Sequence, residues 1–320
     1  MDLKEIKVRS INDILTCINL ASSLEVAGWP KPGNVHRTKN FQKTRYEHFL
    51  SGIAAIQPLF RRFCLKIIIR AKHVNQNYSF VELGHFFKKA TKAMMKWQFG
   101  GNVLLGHILI LAPLSAAVCI CKKLKMFSLN NLKTFLENII RDTTVEDTIY
   151  LYQAIKICNP GGLGRITKYD LNDDNSITEI QQDNINLKRI FELSKEYDLI
   201  SYEYASGFQI VLNEGLPIFL EHFRQYNDIN IATVNTFLRL LSNHPDTLII
   251  RKSGKEAALS VSKAALGVLQ NGGIKTRKGL KMAVKLDNEL YRAKGKLNPG
   301  TTADLIAGVI FCALIFGLKF

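Results

Sequence analysis

The sequence predicts an all-α protein, a single compact multi-helix domain over residues 1–320 with apolar helices buried at its centre. Three observations predict it. Apolar residues recur at helical spacing along nearly the whole chain, and few runs alternate as a half-buried strand requires. Two stretches, 97–121 and 305–318, carry no Asp, Glu, Lys or Arg and belong inside rather than at a surface. No internal repeat and no low-complexity linker divides the chain, and 320 residues suffice for one large core.

In chain order the spacing predicts helices over 11–27, 45–71, 79–96, 103–124, 130–140 and 144–157. A long one follows over 184–223 with a break near Pro217, then 229–243, 254–270, 275–290 and 302–318. Thr144 with Asp147 has capping-box form ahead of the sixth helix. Ser253 with Glu256 places a helix start at Gly254, and Thr301 with Asp304 repeats the pattern at the head of the last helix. The longest non-helical stretch, 158–180, opens with Asn159-Pro160-Gly161-Gly162-Leu163-Gly164 and carries Asp170, Asp173 and Asp174. A loop of that length inside a compact domain is more often functional than idle.

Composition narrows the partners. Lys and Arg number 43 against 27 Asp and Glu, a formal net charge of +16. Such a balance suits nucleic acid. The basic residues are spread along the chain without an aromatic-basic recognition module, however, so no nucleic-acid partner is expected, and a polyphosphate ligand would be served equally well. The densest run, Lys275, Arg277, Lys278, Lys281 and Lys285, reads as a solvated helix face. The cysteines at 17, 64, 119, 121, 158 and 312 form no Cys-x-x-Cys pair and no zinc spacing with histidine. Asp2 and Glu5 interrupt any signal-peptide pattern, so the expectation is a cytoplasmic protein with reduced thiols. Residues 97–121 are long enough to raise a membrane span. They open with Gly100-Gly101-Asn102 and carry His107 and Pro113, while 305–318 is short for a span, so buried core helices and no membrane partner are expected.

Two segments at opposite ends of the chain concentrate the chemistry, Pro30-Lys31-Pro32-Gly33-Asn34 and Asn298-Pro299-Gly300-Thr301-Thr302-Ala303-Asp304-Leu305. Each brings Pro and Gly to a helix boundary, where unpaired backbone N–H groups can face an anion. Each also sets a carboxylate beside it. Advancing about 100° per residue places Glu25 on the apolar face of Ile11, Ile14, Leu15, Ile18 and Ala21. A carboxylate aimed at a core is costly unless paired or bound to metal. Asp304 is the lone charge in its apolar helix and reads as a ligand or as a helix cap, and Asp147 divides evenly between the same two roles. Asp246 follows His244-Pro245, and Arg251 and Lys252 stand just before the predicted helix start at Gly254, where dipole and side-chain charge favour one anion. Gly100-Gly101-Asn102 permits close backbone approach to a ligand or a helix. His48 lies at the edge of the stripe Phe49, Ile53, Ile56 and Phe60, where a structural role is the commoner one. No Gly-x-x-x-x-Gly-Lys-Ser/Thr loop, no Gly-x-Gly-x-x-Gly and no Gly-x-Ser-x-Gly elbow is present, which disfavours P-loop phosphoryl transfer and nicotinamide chemistry.

Taken in order, these segments resemble the triphosphoribosyl-dephospho-CoA synthase family, in a divergent, archaeal-like branch. The resemblance runs through Glu25-Val26, Pro30-Lys31-Pro32-Gly33-Asn34-Val35, Gly101-Asn102 and Gly106 with the following Leu111-Ala112-Pro113-Leu114, and Gly161-Gly162-Leu163-Gly164. It continues through Pro245-Asp246-Thr247-Leu248, Arg251-Lys252 and Gly254, and closes with Asn298-Pro299-Gly300 and Ala303-Asp304-Leu305. The chain departs from the family pattern at Val103-Leu104-Leu105, where bacterial members read Thr-His-Lys, and at His36, where the family has an acid. The resemblance implies an all-α enzyme that transfers the ATP ribose, triphosphate attached, to the 2′-hydroxyl of 3′-dephospho-CoA, with adenine leaving. It further implies catalytic roles for Glu25, Asp246 and Asp304 and a Mg²⁺ cofactor held by Glu25, Asp147 and Asp304. Lys31, Arg251 and Lys252, with the backbone N–H groups of Gly33 and Gly300, are then expected to hold phosphates, and Asn34, His48 and Asn102 to contact substrate. The same C1′ ribosyl transfer onto another cofactor precursor is the alternative within this class, and a helical membrane protein and a non-catalytic nucleotide- or nucleic-acid-binding protein are the readings from other classes.

Overall fold

The computed structural model describes residues 5–159, 164 and 167–320, so most of the Gly161-Gly162-Leu163-Gly164 motif lies outside the described residues. The first half of the chain forms α1 (Ile11–Ala27), α2 (Tyr46–Arg70), α3 (Leu83–Lys96), α4 (Leu105–Leu124), α5 (Leu129–Arg141), α6 (Val145–Cys158) and α7 (Ser176–Gln182). The second half forms α8 (Leu187–Ser194), α9 (Leu199–Ser206), α10 (Leu216–Tyr226), α11 (Ile229–Asn243), α12 (Thr247–Ser253), α13 (Lys255–Gln270), α14 (Arg277–Arg292) and α15 (Gly300–Ile315). Among the described residues there is no strand, only an isolated bridge between His36 and Lys39, and the all-α class holds.

Two helices make the centre. α4 and α15 are buried nearly all the way round and pack against one another, with α1, α10 and α11 also against α15 and α2, α3 and α5 also against α4. Each fully buried Leu, Ile or Phe contributes roughly 1.5–3 kcal/mol, so these helices dominate the apolar driving force. α4 is long and apolar enough to cross a bilayer, but 89% of its most apolar window is covered by the rest of the protein. Pro113 cannot donate to the carbonyl of Leu109 four residues back. The Tyr204 hydroxyl of α9 donates to that carbonyl at 2.6 Å instead, so the break in the helical ladder is mended from a neighbour.

The predicted helix over 184–223 is four elements. Asp198 caps α9 by accepting from the Ser201 amide at 2.9 Å, and Gly207, at φ 73°, ends it. A π-helical stretch, Ile210–Gly215, follows, held by the buried Glu203 carboxylate, which accepts from the Ile210 and Val211 amides at 2.7 and 2.9 Å. Pro217 is not the break. It sits in the first turn of α10, where a missing N–H costs little. α7 begins inside the stretch expected to be loop, and α12 arises ahead of the helix expected from Gly254. All six cysteines are buried thiols. The run Lys275 to Lys285 lies on the solvated side of α14 and the turn before it, as the charge pattern predicts.

Candidate active site

A cavity of about 900 Å³ opens between α1, the start of α4, α6, α8, α12 and the start of α15. Its deep end is polar. The Ser10–Asp13 capping box starts α1, and the helix runs far enough to bring Glu25, in its last turn, to the cavity wall. The segment after α1 then folds back under it. Asn230 fixes that segment by accepting from the Trp29 amide at 2.8 Å and donating to the Trp29 carbonyl at 2.6 Å. Lys31, only 1% exposed, thus reaches Glu25 and donates to both its carboxylate and, at 2.7 Å, its backbone carbonyl.

From the other side, His107 of α4 presents Nε2 to Glu25 Oε2 at 3.1 Å and lies 3.6 Å from Asp304 Oδ1 on α15. Gly106 permits this crossing. A Cβ at that position would lie 1.9 Å from Asp304 Oδ2, so any side chain there would displace the carboxylate. Glu25, His107 and Asp304 form a row of three groups from three helices, with Lys31 closing one end.

The two carboxylates are driven apart in acidity. Burial pushes Glu25 up, but the Lys31 ammonium and His107 more than offset it, and its pKa lies below the ordinary glutamate value. Burial lifts Asp304 to about 7, and the charges of Glu25 and Asp246 add to the rise. His107 and Lys31 only partly oppose it. The Asp304 side chain keeps 21% exposure, and among the described residues it has no ion-pair partner nearer than His107.

Of the other residues singled out in the sequence, Asn34, Asn102, Arg251 and Gly300 line the same cavity. Asn102 Oδ1 caps α4 by accepting from the Leu105 amide at 3.1 Å. Arg251 donates to Asp198 at 2.9 Å, which aims the guanidinium along the α8–α9 connection.

Several of the residues singled out stand elsewhere or are already engaged. Asp246 is buried but does not line the cavity. Its carboxylate accepts from the Leu248 and Ile249 amides at 2.9 and 3.2 Å, and from the Thr302 amide and hydroxyl at 2.7 and 2.8 Å. It caps α12 and ties that helix to α15. Asp147 likewise lies outside, completing the capping box with Thr144 and accepting from the Gly84 amide at 2.9 Å. His48 accepts from the Arg45 amide at 3.1 Å through Nδ1 and packs beneath Gly100, away from the cavity. The N–H groups of Gly33 and Gly300 are already bonded, to Asp287 Oδ1 at 3.0 Å and to the Asn298 carbonyl at 2.9 Å. Lys252 is outside the lining and reaches the Gly295 carbonyl at 3.3 Å. It and Arg251 stand in the last turn of α12 rather than before a helix start, because Asp246 begins a helix there and Ser253 ends it. The Thr301–Asp304 box does not form either. Thr301 meets Thr247 at 3.2 Å, which leaves Asp304 free for the cavity.

Two groups were not anticipated as functional. His107 read as an interruption in an apolar stretch, though its place directly after Gly106 of a motif was a usable signal. Asp287 of α14, buried, accepts from the Gly33 amide and pairs with His36 at 3.2 Å and with Lys39, clamping the segment that carries Lys31. The metal set Glu25, Asp147 and Asp304 is not assembled. Among the described residues no group of three or more His, Cys, Asp or Glu stands in position to hold an ion, since both Glu25 oxygens are engaged and Asp147 is elsewhere.

An all-α fold enclosing a polar-ended cavity with two carboxylates of divergent acidity defines a class equipped for general acid–base chemistry. The sequence profile of the CitG family, ATP:dephospho-CoA triphosphoribosyl transferases, matches residues 11–319, and the chain belongs to that family. A relative from Photobacterium profundum, named a "probable 2-(5''-triphosphoribosyl)-3'-dephosphocoenzyme-A synthase", is 27% identical over 90% of this chain and 82% of its own. The 2-(5''-triphosphoribosyl)-3'-dephosphocoenzyme-A synthase of Escherichia fergusonii is 35% identical over 33% of this chain, a match spanning about a third (34%) of that relative. A crystal structure assigned as a triphosphoribosyl-dephospho-CoA synthase from Archaeoglobus fulgidus superposes with a TM-score of 0.62 at 26% identity, covering 84% of this chain and all of that one.

Proposed function

We propose that the protein transfers the triphosphoribosyl group of ATP to the 2′-hydroxyl of 3′-dephospho-CoA and releases adenine. The observation that carries the reading is the pair Glu25 and Asp304, one held ionised and the other lifted to about 7, on either side of His107 in one cavity. Family membership supports the choice of substrates.

In this reading the C1′–N9 bond of ATP breaks as a bond from C1′ to the acceptor oxygen forms. Positive charge develops at C1′, and the ionised Glu25 stabilises it as carboxylates do in glycoside cleavage. Lys31 and His107 keep Glu25 charged and oriented rather than touching phosphate themselves. Asp304 takes the proton of the attacking hydroxyl, and the departing adenine takes its proton from solvent, a base role suited to a group titrating near neutrality. Arg251 holds phosphate, and Asn34 and Asn102 contact the nucleotide. Mg²⁺ enters as part of the substrate, carried on the triphosphate, since the described side chains form no cluster of three or more ligands for a resident ion.

Incubation with ATP, Mg²⁺ and 3′-dephospho-CoA, following adenine and product mass, tests the proposal. Free adenine together with a triphosphoribosyl adduct of the acceptor is expected. Adenine without that adduct would keep the C1′ chemistry and reject this acceptor, and intact ATP would reject the reaction.

A further inference from the structure

The cavity is larger than its reactive end needs. At about 900 Å³ it stands near the top of the range for small-molecule sites. The polar row of Glu25, His107 and Asp304 occupies one end. The rest is an arm between α6 and α8, walled by Leu151, Ile155, Ile190 and Phe191. At its outer edge two large apolar side chains are left open, Leu193 at 40% and Tyr197 at 48% exposure, among the few of the protein so exposed. The Tyr197 hydroxyl donates to Ser194 Oγ at 3.2 Å, so this edge also offers oxygen acceptors to a ligand amide. Next along the chain is Asp198, which holds Arg251 at 2.9 Å.

An apolar wall, exposed apolar rims, neutral acceptors and cations already paired with acids, Lys168 with Asp183, Arg189 with Glu192 and Arg251 with Asp198, suit a long uncharged chain bearing amides and ending at a phosphate. They do not suit a triphosphate, which needs several unpaired cations. Resting on the reaction proposed above, we infer that the α6–α8 arm is the subsite for the pantetheine chain of the acceptor, with Arg251 at its diphosphate, and that Leu193 and Tyr197 determine acceptor specificity. The arm leads away from Asp304, so an acceptor with its 2′-hydroxyl at Asp304 and its pantetheine here spans the cavity and leaves the Lys31 side to the donor ribose.

Both rim residues are half exposed, so truncating them leaves the core untouched. Leu193→Ala and Tyr197→Ala are expected to raise the KM for 3′-dephospho-CoA about tenfold and to leave the KM for ATP within twofold. A rise in the KM for ATP instead, or no change in either, would overturn the assignment. A second measurement does not depend on turnover. Calorimetric titration of 4′-phosphopantetheine into the protein without ATP should show binding that weakens about tenfold in Tyr197→Ala. Equal binding to both proteins, or none to the unsubstituted chain, would sink the subsite. If the titration behaves as expected but no adenine is released with any acceptor, the subsite stands and the transfer reaction falls.

Discussion

Asp246 is bonded to Thr302, two residues before Asp304, where α12 meets α15, and both are carboxylates largely withdrawn from solvent, yet they do different work. Asp246 receives four donors, three of them backbone amides, and each of its oxygens is spoken for. Among the described residues Asp304 receives none within hydrogen-bond distance, and it faces a cavity and is pushed to about 7. Glu203 and Asp147 fall with Asp246, saturated by amides at helix starts. Glu25 falls with Asp304, although its charge is met by Lys31. Burial alone therefore does not mark a functional acid. What separates the two sets is whether the backbone has consumed the carboxylate.

The contrast is sharpest in turnover. Asp304→Ala and Glu25→Ala should each lower kcat by about 10³-fold while the helical circular dichroism is retained, within the range for losing a proton-transfer group. Activity in either variant within tenfold of the parent would remove that residue from the mechanism. The Asp304 carboxyl also predicts a pH signature. Its folded pKa of about 7 lies above the ordinary 3.8, so its contribution to stability is full below about 3.8 and is lost as the pH rises through 7. Urea midpoints taken across this window should fall with pH, and Asp304→Asn should flatten that fall.

Lys31 tests the exception. Lys31→Met leaves the buried Glu25 charge with His107 alone to meet it, which costs about 3–5 kcal/mol, read from urea denaturation. Adding Glu25→Gln to the same chain should recover most of that loss, and no recovery would mean that Lys31 acts through packing instead. Asp246→Ala should cost about 2 kcal/mol through the lost cap and the stranded Thr302 amide. The folded fraction should keep kcat within a few fold, whereas a loss comparable to that of Asp304→Ala would erase the distinction drawn above. The smallest effect separates two neighbours. Arg251→Ala should raise substrate KM several-fold, and Lys252→Ala, outside the cavity, should change it less than twofold.

The sequence exposed the helices well because their apolar spacing is continuous. It failed over 184–223 for the same reason, since an unbroken apolar pattern conceals breaks made by Asp198 as a cap and by Gly207 at positive φ. Glu25, Lys31, Asn34, Asn102, Arg251, Gly300 and Asp304 were legible as site residues and meet in one cavity. Asp246 misled because an acid after Pro and before an apolar run can be a helix cap as readily as a catalyst. The Gly33 and Gly300 amides misled because their partners, Asp287 and Asn298, are supplied by the fold in one case and by a local turn in the other. His107 escaped notice because nothing in a one-dimensional pattern shows that a histidine in an apolar helix faces two acids from other helices.

The apolar character of α4 has a consequence for the chain's birth. One of its partners in the core, α15, is encoded roughly 175 residues after α4 ends, and at ordinary synthesis rates that gap lasts roughly 10–35 s. During that time a helix of bilayer length has left the ribosome with a large part of its surface uncovered. The nascent protein thus passes through a stage in which its own core resembles a membrane anchor, and holding factors that shield α4 until α15 arrives should govern how much of it reaches the native state.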